Sequence, residues 1–152
     1  MSKTDEKLIS WLNLLIVVCN DGKLGFNTAA KNATSDDLKT LFYSLSVDRE
    51  QFGNALKFEV RKIDGDPEKS GGALGALHRA WMDVKTALTS NDDIAILNAC
   101  ITGENAALNA YKEVLEKALL PADTRNVVAI QRIRVEESLK KIREMLKGLN
   151  KA

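Results

Sequence analysis

Core-type residues recur at alternating steps of four and three along nearly the whole chain, and no segment shows the period of two that a half-buried strand needs. The first series runs Leu8, Leu12, Leu15, Cys19, Gly22, Phe26, Ala29. It crosses Asn20-Asp21-Gly22, which between two strands would signal a hairpin, without a change of phase. A hairpin would reset the period to two, and a loop would disturb the register. The spacing therefore predicts one helix over about residues 5–31, roughly 40 Å long at 1.5 Å per residue. Thr4 is placed to cap it, and Asp5 and Glu6 lie in the first turn, where the helix dipole favours acids. Gly22 then faces inward. Glycine inside a helix costs about 1 kcal/mol relative to alanine, so this position predicts the close approach of another helix or a large side chain.

The same spacing continues. Thr34 or Ser35 can cap a second helix over about 35–63, with the stripe Leu38, Phe42, Leu45, Arg49, Phe52, Leu56, Glu59, Ile63. Gly65, Pro67, Gly71 and Gly72 mark the clearest loop. A shorter helix over 73–88 follows, then one over 92–119 carrying Ile94, Leu97, Ile101, Glu104, Leu108, Tyr111, Leu115 and Ala118. Pro121 fits the first turn of a last helix over 122–149, with Thr124, Val128, Gln131, Val135, Ser138, Ile142, Met145 and Leu149 on one face. The first and last helix pairs have short links. The middle connection, about residues 64–91, is long enough to run the length of a bundle, which makes the second and third long helices parallel. The expected fold is a single all-α domain over residues 1–152, a ferritin-like four-helix bundle with one long crossover that contains a short extra helix.

Composition narrows the function classes. Lys plus Arg number 22 against 21 Asp plus Glu, so the basic excess of a nucleic-acid binder is missing. No run approaches the roughly 18 apolar residues of a membrane span, and the first ten residues lack the order of a signal peptide. The expectation is a cytoplasmic protein. Cys19 and Cys100, the two cysteines, read as reduced, half-buried thiols rather than a disulfide framework.

Arg49, Glu104 and Gln131 stand where apolar residues otherwise repeat. A buried charge must be paired and hydrogen-bonded. Arg49 and Glu104 lie at similar depths on helices expected to be parallel. They form a buried ion pair, with Gln131 and Tyr111 completing its hydrogen bonds, or they sit at the stripe edges and reach solvent. His78 and Trp81, in "HRAW", read as an element docking the crossover on the bundle. A catalytic base would want an adjacent nucleophile or orienting acid, and the sequence identifies none for His78. Phosphate-binding glycine loops, zinc-type cysteine clusters and nucleophile elbows are absent.

"LNLLIVVCNDGKLGFNTAA", "DREQF", "GGALGALHRAWMDVKTAL" and "DDIAILNACITGENAALNAYKEVL" together resemble a small bacterial four-helix-bundle family that is classed as ferritin-like and as a domain of unknown function. The resemblance implies a bacterial bundle linked to stress or general upkeep, with no established reaction. A di-iron site of the ferritin type needs a Glu from each of two helices and a Glu-x-x-His from each of the other two. This chain has one histidine and no Glu-x-x-His, leaving Glu59 and Glu104 as weak metal candidates. The expected function is non-enzymatic, through self-association or binding to another protein, with no cofactor and no nucleic-acid or membrane partner. The alternative is an atypical di-iron or other metal-dependent oxidase or iron-handling protein. A third expectation is a small ligand held between bundle and crossover, beside Trp81 and His78.

Overall fold

The computed structural model describes residues 1–67 and 84–151. Among the described residues, four long helices form the bundle: α1 (Lys3–Asn32), α2 (Asp36–Lys62), α3 (Asp93–Lys117) and α4 (Ala122–Asn150). α1 runs unbroken through Asp21 and Gly22. It starts earlier than the sequence suggests, because the Ser2 hydroxyl accepts the Asp5 N–H at 3.0 Å and takes the cap expected of Thr4. By length and composition α1 could also cross a membrane, with an 18-residue window of mean hydropathy 1.2, but half of that window is buried in the bundle.

The short link between α1 and α2 is fixed from outside. Ser35 caps α2, while Thr34 turns to α3: its N–H and hydroxyl both donate to the Asp93 carboxylate at 2.7 Å, and the Ser35 N–H adds a third bond at 3.1 Å. The N-termini of α2 and α3 therefore meet, and these helices run parallel. α2 and α4 run antiparallel, as Thr124 at the start of α4 donates to Glu59 near the end of α2. The end of α2 and the start of α3 therefore lie at opposite ends of the bundle, as in a one-crossover arrangement. Of its expected helix, residues 84–88 are helical, with Val84 and Leu88 buried; 73–83 fall outside the described residues.

Although its partial burial opposes ionisation, Asp93 is held below the ordinary carboxylate range by its bonds from Thr34 and Ser35 and by the nearby Lys39 charge. A carboxyl whose pKa is depressed on folding stabilises the fold above its unfolded value of 3.8 and loses that contribution as pH falls through the folded value. Asp93→Asn is thus expected to flatten the acid limb of a stability–pH curve below about pH 4, read by urea unfolding at stepped pH. An unchanged acid limb would show that the clasp carries no such linkage.

α2 ends in a Schellman turn. The Gly65 N–H bonds the Val60 carbonyl and the Asp64 N–H bonds the Arg61 carbonyl, both at 3.0 Å. Asp64 takes the left-handed position, with φ 58°. Gly65 is needed for space: a Cβ there would lie 2.7–2.8 Å from Ile9 and Val60 side-chain atoms.

Among the described residues the core has two apolar clusters. One joins Leu8, Leu12, Leu15, Leu56, Val60, Val114 and Val128 toward the α1 N-terminus. The other joins Phe26, Leu38, Phe42, Leu97, Leu88 and Ile142 at the opposite end, where the Phe26 and Phe42 rings stack with centroids 6.2 Å apart. Each fully buried Leu, Ile or Phe stabilises by about 1.5–3 kcal/mol. The inner stripe of α3 is rotated from the one expected. Ile94 is exposed, Ile101 and Leu115 are half-buried, and Cys100, Ala107 and Val114 are buried instead.

Candidate functional site

Between the two apolar clusters lies a layer of buried polar side chains to which all four helices contribute. Arg49 sits about 14 residues into α2 and Glu104 about 12 into α3, so parallel helices bring them level. Arg49 makes a bidentate pair with Glu104, Nη1 to Oε1 at 2.5 Å and Nη2 to Oε2 at 2.7 Å. Their side chains are 3% and 0% exposed, so the pair is almost wholly withdrawn from water. Burial works against the Arg49 charge, yet the Glu104 carboxylate outweighs it and raises the guanidinium pKa above its usual value.

Ser138 on α4 closes this part of the layer. Its Oγ accepts from Arg49 Nη2 at 3.0 Å and lies 2.6 Å from Glu104 Oε2 and 2.9 Å from the Val135 carbonyl. One hydroxyl has one proton, and the shorter, charge-assisted bond to Glu104 takes it. Phe26 and Phe52 flank the guanidinium, with its carbon 5.3 and 5.7 Å from the ring centroids, a cation–π arrangement that replaces part of the lost hydration. On the α1 side the helix is bare at Gly22, where an added Cβ would stand 3.3 Å from Arg49 Cγ and 3.7 Å from Cδ. The large group brought close to this glycine is the Arg49 side chain.

Gln131 and Tyr111 form a second group and do not bond to the ion pair. Tyr111 Oη donates to Gln131 Oε1 at 2.7 Å, and Gln131 Nε2 donates to the Phe52 carbonyl at 3.2 Å. The carbonyl can only accept, so the amide has one workable orientation and the Tyr111 proton is committed to it. The Cys19 thiol, 3.2 Å from Tyr111 Oη, must then be the donor in their contact. Desolvation raises the Tyr111 pKa well above its usual value.

Both cysteines are buried rather than half-buried. Burial pushes the Cys19 thiol up to about 11; it also raises Cys100, helped by the Glu104 charge. Only about one Cys19 in a thousand would be thiolate at pH 8 on that basis. Neither thiol is expected to react with a disulfide reagent at pH 8 in the native protein, while both react in denaturant. Rapid labelling of one thiol in the native protein would place it outside the sealed core.

Glu59 is not brought to Glu104. It lies ten residues beyond Arg49 on α2, roughly 15 Å along the helix, and is held by Thr124 at 2.8 Å and Lys62 at 3.0 Å. Among the described residues, no three His, Cys, Asp or Glu side chains gather as a metal-binding group. His78 and Trp81 lie outside the described residues. Ser138, Cys19 and the two flanking phenylalanines are the members that sequence reasoning did not assign. Ser138 stood on the inner stripe, a polar signal that the larger Arg49 and Glu104 overshadowed.

The chain belongs to the family described as Domain of unknown function (DUF2383), which it matches over residues 7–117. The matched part contains Cys19, Gly22, Arg49, Phe52, Glu104 and Tyr111; Gln131 and Ser138, on α4, lie beyond it. A search of curated proteins finds no match.

Proposed function

We propose that the chain is a non-enzymatic, ferritin-like bacterial bundle protein of the cytoplasm, acting through association with itself or with another protein in a stress-related setting. The one-crossover connectivity supports the ferritin-like reading, and the resemblance read from the sequence supplies its bacterial and stress-related parts. The observation that carries the proposal is the contrast between interior and exterior. Inside, Glu104, the most deeply buried acid among the described residues, has both oxygens taken up by Arg49 and Ser138. A carboxylate committed in this way offers no ready ligand to iron. Outside, large apolar side chains recur at helical spacing: Tyr43 and Val47 on α2, Ile130 and Ile133 on α4. Residues three or four apart share a helix face, and such pairs on charged helices suit contact with a second surface.

Light scattering on the eluting protein across a wide concentration range tests the self-association arm. The expected result is a mass above the 16.7 kDa of one chain, reduced to the monomer when Ile130→Glu and Ile133→Glu are combined. A strictly monomeric chain would leave only the arm in which the partner is another protein. Iron bound at stoichiometric level after growth in iron-supplemented medium would overturn the non-enzymatic reading.

A further inference from the structure

The groove between α1 and α2 opens on its outer side into a cavity of about 330 Å³, lined by Ile16, Asn20 and Lys23 of α1 and by Glu50, Asn54 and Lys57 of α2. Gly53 of α2 is also in its lining, and a Cβ there would meet Cys19 Cβ of α1 at 3.6 Å, an ordinary contact. Arg49 and Pro67 also reach its wall.

We infer that this cavity binds a small oxyanion, a phosphate or a short carboxylate. Three observations converge. The volume lies at the lower end of the range of small-ligand sites, roughly 300–1,000 Å³. Among the described residues, the lining supplies two ammonium groups and two amides against a single carboxylate. Lys23 meets that carboxylate, Glu50, only at 3.6 Å, with both side chains well exposed, a weak pairing. Lys57 is half-buried, and no carboxylate pairs with it among the described residues. A lysine held beside a groove without a counter-ion is matched by an anion with acceptor oxygens. The third observation is Arg49. Its Nη1 and Nη2 are engaged by Glu104 and Ser138, while its buried Nε–H meets no acceptor among the described residues. The site thus places the Lys57 charge at the rim, above a wall to which the buried Arg49 side chain contributes. Asn20 and Asn54 can bond to the remaining oxygens from opposite helices.

The test is a backbone-amide NMR titration of the full chain with sodium phosphate and, in a second arm, sodium succinate, each against sodium chloride at matched ionic strength. Saturable shifts centred on Asn20, Gly53 and Asn54 are expected in one arm, which identifies the oxyanion. Lys57→Met should weaken that binding by about tenfold or more, as loss of a charge-assisted contact does, whereas Lys141→Met on α4 should leave it unchanged. The proposal is overturned if neither salt gives a saturable shift beyond chloride, or if Lys57→Met binds as tightly as the parent. Retained far-UV circular dichroism in Lys57→Met shows that any loss is of binding and not of fold.

Discussion

Glu104→Gln is expected to destabilise the protein by about 3–5 kcal/mol, the range for breaking a buried ion pair from one side. The substitution keeps the shape and removes the charge. It leaves the Arg49 guanidinium uncompensated at 3% exposure, and it turns one amide NH2 toward donors that previously met an oxygen. Urea unfolding should show a lower midpoint at an unchanged slope. Arg49→Met should cost a similar amount, because it strands the carboxylate. Combining Arg49→Met with Glu104→Met should recover much of the loss, since apolar replacement of a whole buried pair is often neutral or better. The two positions touch, so strong non-additivity is itself part of the expectation. A Glu104→Gln variant as stable as the parent would mean that water reaches the pair.

Gly22→Leu is the second large effect, expected at about 3 kcal/mol or more. Its Cβ alone would stand 3.3 Å from Arg49 Cγ and 3.5 Å from Nη1, and the rest of the leucine would need the volume the guanidinium stem occupies. Arg49 would have to leave Glu104 or α1 would have to move from α2. Gly22→Ala calibrates the site: its gain in helix propensity, about 1 kcal/mol, works against the tight Cγ contact, so its net effect should be small. Gly148 is the control. Nothing lies within 4 Å of a Cβ there, and Gly148→Leu should be neutral or mildly stabilising by thermal unfolding. Equal behaviour at both glycines would remove the steric account of Gly22.

These two residues also show how far the sequence could be read. The unbroken stripe through Asp21-Gly22 was enough to place a helix where a dipeptide rule suggested a turn, because seven positions in phase outweigh one local signal. Arg49 and Glu104 were legible as a candidate pair because opposite charges interrupted two apolar stripes at matching depth. Whether they met or reached solvent depended on helix rotation, which stripe edges do not fix; α3 is turned enough to expose Ile94 and bury Cys100. The division into Arg49–Glu104–Ser138 and Cys19–Tyr111–Gln131 depended on side-chain direction and on where single protons go. Neither leaves a trace in spacing. The cap at Ser2 in place of Thr4 came from two acceptable cap residues two positions apart, a choice settled by the reach of one hydroxyl.

The crossover gives the polar layer a meaning for assembly. The α1–α2 hairpin carries the cation and the α3–α4 hairpin carries the anion, so each half alone would have to bury or hydrate a bare charge. The pair therefore rejects a hairpin docked one turn out of step. It has no means, however, of telling its own chain's hairpin from that of a neighbouring molecule, which would offer the same carboxylate at the same depth. That distinction belongs to the tether between Ile63 and Asp92, which keeps the native partner at a high effective concentration. Register is enforced by charge, and chain identity by tether length.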